Sequence, residues 1–209
     1  MSLANAEFLN RLGRSKIYRD YEDAFGMATD LPLTLRPPTT LSMVQRGRPK
    51  ENPFCSLLAQ SQKGCADCLE IQERIGDPNA RCATTAMCFA GLSDTAVPVR
   101  VGEKLIGFLQ TGQVALKAPS REKFSQITKT LLEWGAEVDL RQLEDAYFHS
   151  HVLTPEQYAG VVHLLEIFAS HLSTIGNQLM IQQESEESPF SRRAKKYVAD
   201  HQADEISLD

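Results

Sequence analysis

The sequence predicts a mixed α/β (α+β) domain: an antiparallel sheet flanked by helices, with a long helix toward the C-terminus. Three observations carry this. Ala96–Val101 and Lys104–Val114 are apolar, β-branched runs joined by Gly102-Glu103, the pattern of a hairpin with a tight two-residue turn. Tyr158, Val161, Leu165, Phe168, Leu172, Ile175 and Leu179 recur at alternating 3-4 spacing, the signature of a long amphipathic helix. The chain also opens on apolar residues at helical spacing: Phe8, Leu9 and Leu12, then Ile17, Tyr21, Ala24, Phe25 and Ala28.

The elements follow in order. The segment up to Thr29 is expected to be helical, and Leu31–Arg36 alternates like a half-buried strand that Pro37 and Pro38 end. The polar, basic stretch Gln45–Asn52 reads as a loop. Phe54–Leu58 and Cys65–Ile75 read as two short helices separated by Ser61–Gly64, and Thr84–Ala90 as a strand beside the hairpin. Gly107 and Gly112 inside the second hairpin strand mark bulges or room for a ligand. Pro119-Ser120 starts a helix carrying Phe124, Ile127, Leu131 and Trp134. Asp139 caps another, with Gln142 at the capping-box position. Thr154-Pro155 with Gln157 supplies the N-cap, N1 proline and capping box of the long helix. Its heptad seam fits either a coiled coil with a second chain or packing on the domain's own core, because Val162, Leu164 and Ile167 widen the apolar stripe.

With 209 residues the chain can bury roughly 70 % of its unfolded surface and needs no staples to fold. A formal net charge of −5 argues against a nucleic-acid surface made of the whole chain. No window reaches the roughly 18–20 uncharged apolar residues of a bilayer span, so no membrane partner is expected. The five cysteines, Cys55, Cys65, Cys68, Cys82 and Cys88, form an odd-numbered cluster, and the N-terminus has no signal-peptide pattern. A reducing, cytoplasmic location is expected, which leaves metal binding, redox chemistry or a shared pocket for the thiols.

Phe54-Cys55, Gly64-Cys65 with Cys68, Cys88–Leu92, Ala96–Val99 and Leu105–Val114, in that order, resemble the PocR-type sensory domain of bacterial transcription regulators and signalling proteins. The resemblance runs from about Lys16 to Leu179, with its specific motifs between Pro53 and Val114. It implies a PAS-like fold and the sensing of small molecules, proposed for the family to be simple hydrocarbon derivatives such as short diols. Cys82 lies outside the family pattern. Phe89 stands where other members often carry a polar or histidine residue, which would make this pocket more apolar. The basic amphipathic run Arg192–His201 followed by Ile206–Leu208 resembles the opening of an AraC-type helix-turn-helix domain. The expected division is therefore an N-terminal helix or leader (1–14), the sensory domain (15–180), a linker (181–190) and the truncated start of the helix-turn-helix domain (191–209).

Cys65 and Cys68 form a Cys-x-x-Cys step, and with Cys55 and Cys88 they could complete a four-sulfur site for a zinc ion or an iron–sulfur cluster. Their spacing matches no standard zinc ribbon or ferredoxin run. The competing reading makes them small buried side chains around a ligand cavity. Cys88, Phe89, Gln110 and Gln113 are the candidate ligand contacts, although strand alternation predicts that one of the two glutamines faces solvent. Trp134 and Tyr147 read as packing residues. No catalytic constellation stands out, so a non-enzymatic sensor is expected: a domain binding a small-molecule effector, homodimeric, and reaching DNA only through an attached domain. In that scheme Val161, Leu165, Phe168, Leu172 and Ile175 form the dimer and relay helix. The alternative is a metal- or redox-sensing regulator that uses the Cys55/Cys65/Cys68/Cys88 cluster.

Overall fold

A computed structural model describes residues 3–38 and 45–186, together with Arg193 and Tyr197. Helices α1 (Leu3–Arg14) and α2 (Lys16–Thr29) are divided at Ser15, whose hydroxyl caps α2 by accepting from Tyr18 N. Strand β1 (Leu33–Arg36) comes next. Helix α3 (Pro53–Leu58) is capped by Asn52 and α4 (Gln62–Ile75) by Ser61. Ser61–Gly64, expected to separate two helices, is thus the cap and first turn of the second, because the Ser61 hydroxyl accepts from Gly64 N at 3.1 Å.

Strands β2 (Thr84–Met87), β3 (Leu92–Val101) and β4 (Lys104–Ala115) complete one antiparallel sheet of order β1-β4-β3-β2. The predicted hairpin is β3–β4, with Gly102 at φ +58 in its turn. Helices α5 (Arg121–Glu133) and α6 (Leu140–Phe148) start at the expected caps Ser120 and Asp139. The long helix α7 runs from Pro155 to Glu186. Its capping box is complete: Thr154 N donates to Gln157 Oε1 at 2.9 Å, and Gln157 N to Thr154 Oγ1 at 3.2 Å. The expected linker, 181–190, overlaps this helix up to Glu186. Its remainder and the expected helix-turn-helix start, 191–209, lie outside the described residues apart from Arg193 and Tyr197.

Strand alternation divides the core between two faces. On one face Val97, Val99, Val101 and Leu109 pack against Leu9 and Leu12 of α1, Phe25 of α2, and Leu165, Phe168 and Leu172 of α7. On the other, Ala96 and Phe108 meet Ile71 and Ile75 of α4. Leu92 and Ala115 meet Phe54 and Leu58 of α3 and the apolar sides of α5 and α6.

The seam of α7 is therefore occupied within the chain. Leu165, Phe168 and Leu172 are at most 3 % exposed, with Val161 and Ile175 packed beside them. Of the two uses left open for the seam, the structure shows packing on the domain's own sheet, with Leu165, Phe168 and Leu172 buried and Val161 and Ile175 partly buried. Stacking of Tyr21 on Phe168, ring centroids 3.5 Å apart, adds α2 to the same contact. Pro155–Gln178 is long and apolar enough by length and composition to cross a membrane, with mean hydropathy 1.2. The inward residues of that stretch are the ones that cover the sheet, which accounts for its apolar character.

Candidate ligand cavity

Between the sheet and the α3–α4 pair lies a cavity of about 30 Å³. A water needs roughly 10–15 Å³ of such space, so it holds one or two. Cys55, Phe54 and Leu58 enter from α3, Cys68, Ile71 and Gln72 from α4, Leu92 and Asp94 from β3, and Cys88 from the turn before β3. That turn closes through Cys88 N to Leu92 O and Gly91 N to Cys88 O, both 2.9 Å, with Gly91 at φ +87. Gln45 and Gln113 finish the wall.

The thiols are held as thiols. Burial pushes Cys55 well above the ordinary value, Cys68 up to about 12 and Cys88 up to about 11. Their mutual repulsion and that of Asp94 raise Cys55 and Cys68 further. Metal ligation and nucleophilic attack both need the thiolate. Cys65, the fourth member of the expected metal set, does not line the cavity, and among the described residues no three His, Cys, Asp or Glu side chains gather as a metal-holding group. What the structure brings together is Cys55, Cys68 and Cys88 around one space.

A run of amides surrounds that space. Gln110, fully buried, donates from Nε2 to Gln72 Oε1 at 2.6 Å. Gln45 Nε2 donates to the Gln110 carbonyl at 3.2 Å, and Gln45 Oε1 accepts from Thr34 Oγ1 at 2.9 Å. Gln110 is fully buried and Gln113 half-buried, because helices cover both faces of the sheet. A bulge puts the two on the same side: Ser93 pairs with Val114 and Asp94 with Gly112, leaving Gln113 as the extra residue at φ +62. The bulge resets which way β4 points its side chains. Gln113 Oε1 accepts from Asn52 N and its carbonyl from Asn52 Nδ2, both 2.9 Å. Since Asn52 Oδ1 caps α3 through Phe54 N, the bulge holds the helix that carries Cys55.

Phe89 stands apart from the other candidate contacts. Its ring packs on Trp134, centroids 4.8 Å apart, and does not line the cavity. Gln110 also stands behind the lining and reaches it through Gln72.

Asp94 escaped the sequence reading. It is buried, it lines the cavity, and burial raises its carboxyl to about 7, partly opposed by a hydrogen bond from Gln110. Asp94 Oδ1 and Gln110 Oε1 are both buried without a hydrogen-bond partner. One signal could have found it: Asp94 is the single ionisable residue in the run Leu92–Val99, which otherwise reads as core strand.

An antiparallel sheet covered by helices on both faces, with a small cavity under one of them, defines the PAS-like class of sensory folds. Within that class the chain belongs to the family described as "Sensory domain found in PocR", whose model matches residues 15–177. The matched span agrees with the resemblance read between Lys16 and Leu179. No curated protein and no solved structure matches the chain.

Proposed function

We propose that the chain is the ligand-sensing part of a bacterial transcription regulator, binding a small organic molecule in the Cys55–Cys68–Cys88 cavity without chemical conversion. The observation that carries the reading is the cavity itself: walled by un-ionised thiols and apolar side chains, and bearing a buried polar atom, Asp94 Oδ1, that nothing among the described residues satisfies. Its volume is that of one or two waters, so a molecule of several heavy atoms enters only if α3 or α4 shifts. Ligand binding then selects the packing in which that shift has occurred.

A route from the cavity to α7 supports the relay. Asp94 and Thr95 are neighbours on β3 and point to opposite faces. Thr95 Oγ1 hydrogen-bonds the Tyr158 hydroxyl at 2.7 Å and Thr85 Oγ1 at 2.7 Å. A displacement of β3 at Asp94 therefore moves the polar contact that fixes the start of α7. From there α7 leads toward an attached DNA-binding domain. Homodimerisation through α7 would have to use its outer side, where Leu164 and Ile167 are exposed.

The test is a titration of the protein with a panel of small alcohols, amines and acids, followed by NMR and thermal melting. A binding compound is expected to perturb Cys88, Leu92 and Asp94 and to raise the melting temperature. Cys68→Leu, which fills the cavity from α4, is expected to abolish both effects while the protein remains folded. Tyr158→Phe is expected to keep binding, cost about 1 kcal/mol for the lost hydrogen bond, and weaken the ligand-induced change in α7. A panel compound whose binding Cys68→Leu leaves unchanged would refute the cavity assignment.

A further inference from the structure

We propose that the cavity recognises a small molecule through a protonated amine, with Asp94 as its counter-ion. This rests on the cavity being the sensory pocket, and it names the chemistry of the head group.

The argument is one of charge and of unmet hydrogen bonds. Asp94 is 9 % exposed, and among the described residues no basic side chain forms an ion pair with it. The titratable groups that share the cavity with it are all acids: Cys55 from α3, Cys68 from α4 and Cys88 from the β2–β3 turn, while across the sheet Tyr158 of α7 adds no positive charge. Asp67 and Glu51 add negative charge behind Cys88 and Cys55. A buried carboxylate in such surroundings either takes up a proton or acquires a cation. Of the residues that line the cavity, Asp94 carries a buried polar atom, the acceptor Oδ1, that has no hydrogen-bond partner among the described residues, and the neighbouring thiols offer it weak donors and no positive charge. An ammonium group brings the missing positive charge together with a strong donor for Asp94 Oδ1. Its size suits the space, which is that of one or two waters.

The proton balance follows. In the empty protein below about pH 7 Asp94 holds a proton, and binding of an ammonium group releases it to solvent. Affinity should therefore be full above pH 7 and fall about tenfold for each pH unit below it. A neutral alcohol, which can donate to or accept from either form of the acid, carries no such dependence.

Methylammonium and methanol, equal in heavy atoms and matched to the cavity, make the comparison, with the full 209-residue chain at constant ionic strength. NMR titration between pH 5.5 and pH 8 is expected to show methylammonium perturbing Cys88, Leu92 and Asp94, with affinity falling below pH 7. Asp94→Asn is expected to abolish methylammonium binding while its melting curve shows a folded protein. Methanol binding as tightly as methylammonium at pH 8, or methylammonium affinity unaffected by Asp94→Asn, overturns the amine assignment and leaves the pocket reading intact. Perturbation by both probes only outside the cavity overturns the two together.

Discussion

Asp94→Asn should make the protein more stable at pH 8 by about 4 kcal/mol and flatten its dependence on pH. Burial raises the carboxyl from 3.8 to about 7, so the native state binds the proton more tightly than the unfolded chain does. For an acid shifted in that direction, native stability is greatest at low pH. It falls as pH rises from about 4 to about 7 and is level above that. At about 1.4 kcal/mol per pKa unit, the ionised carboxylate costs the native state roughly 4 kcal/mol at pH 8. The asparagine variant has the same shape and no charge to bury. Urea unfolding of both proteins at pH 4, 6 and 8 measures the effect: the two curves should nearly coincide at pH 4 and separate progressively above it. A variant less stable than the parent at pH 8 would mean that Asp94 has a stabilising partner when ionised.

Gly112→Ala should unfold the protein or destabilise it by at least about 3 kcal/mol. Gly112 has φ +142, a conformation that side chains rarely adopt. A Cβ there would sit 2.5 Å from the Asp94 Cα and 2.6 Å from the Ser93 carbonyl oxygen. Both atoms are backbone of the neighbouring strand and cannot rotate away. Relief would require breaking the β3–β4 pairing at the bulge, which displaces Gln113 from Asn52 and with it the cap of α3. Gly102→Ala is the control. Gly102 also has positive φ, but nothing lies within 4 Å of an added Cβ, so only the local backbone preference is lost, about 1 kcal/mol. Circular dichroism and thermal melting distinguish the two. Equal losses would show that the crowding against β3 is not the cause.

The elements visible in the sequence were those whose signals are local. The Gly102-Glu103 turn, the Ser120 and Asp139 caps and the Thr154–Gln157 box each involve residues at most three apart, and each sits where it was expected. The α7 periodicity was equally plain, but periodicity gives a face and not what covers it; the covering sheet is formed by residues far away in sequence. The cavity was only half legible. Cys55, Cys68 and Cys88 stood out as a cluster, whereas Cys65, one turn before Cys68 on the same helix, does not line the cavity. Alternation could not place Gln110 and Gln113 relative to each other, because a bulge that only the pairing with β3 creates brings them to one side of the sheet. Phe89 is expected at the pocket because the family resemblance places it there, and the turn sends its ring to Trp134 instead. Gln45 and Gln72 gave no signal, since a glutamine in a loop or helix reads as solvated surface until its partners are known.

The two packed faces of the sheet have a dynamic consequence. One hydrophobic cluster joins α1, α2 and α7 to the sheet, and separate clusters join α3, α4, α5 and α6 to its other side. Cooperative opening follows contiguous packing, so the α3–α4 side can loosen while the α7 side stays protected. Hydrogen exchange would register this as two populations of amides with different opening free energies. The helices that must yield to admit a molecule are thereby separated from those that hold the chain together, so adaptability at the cavity need not come at the expense of global cohesion.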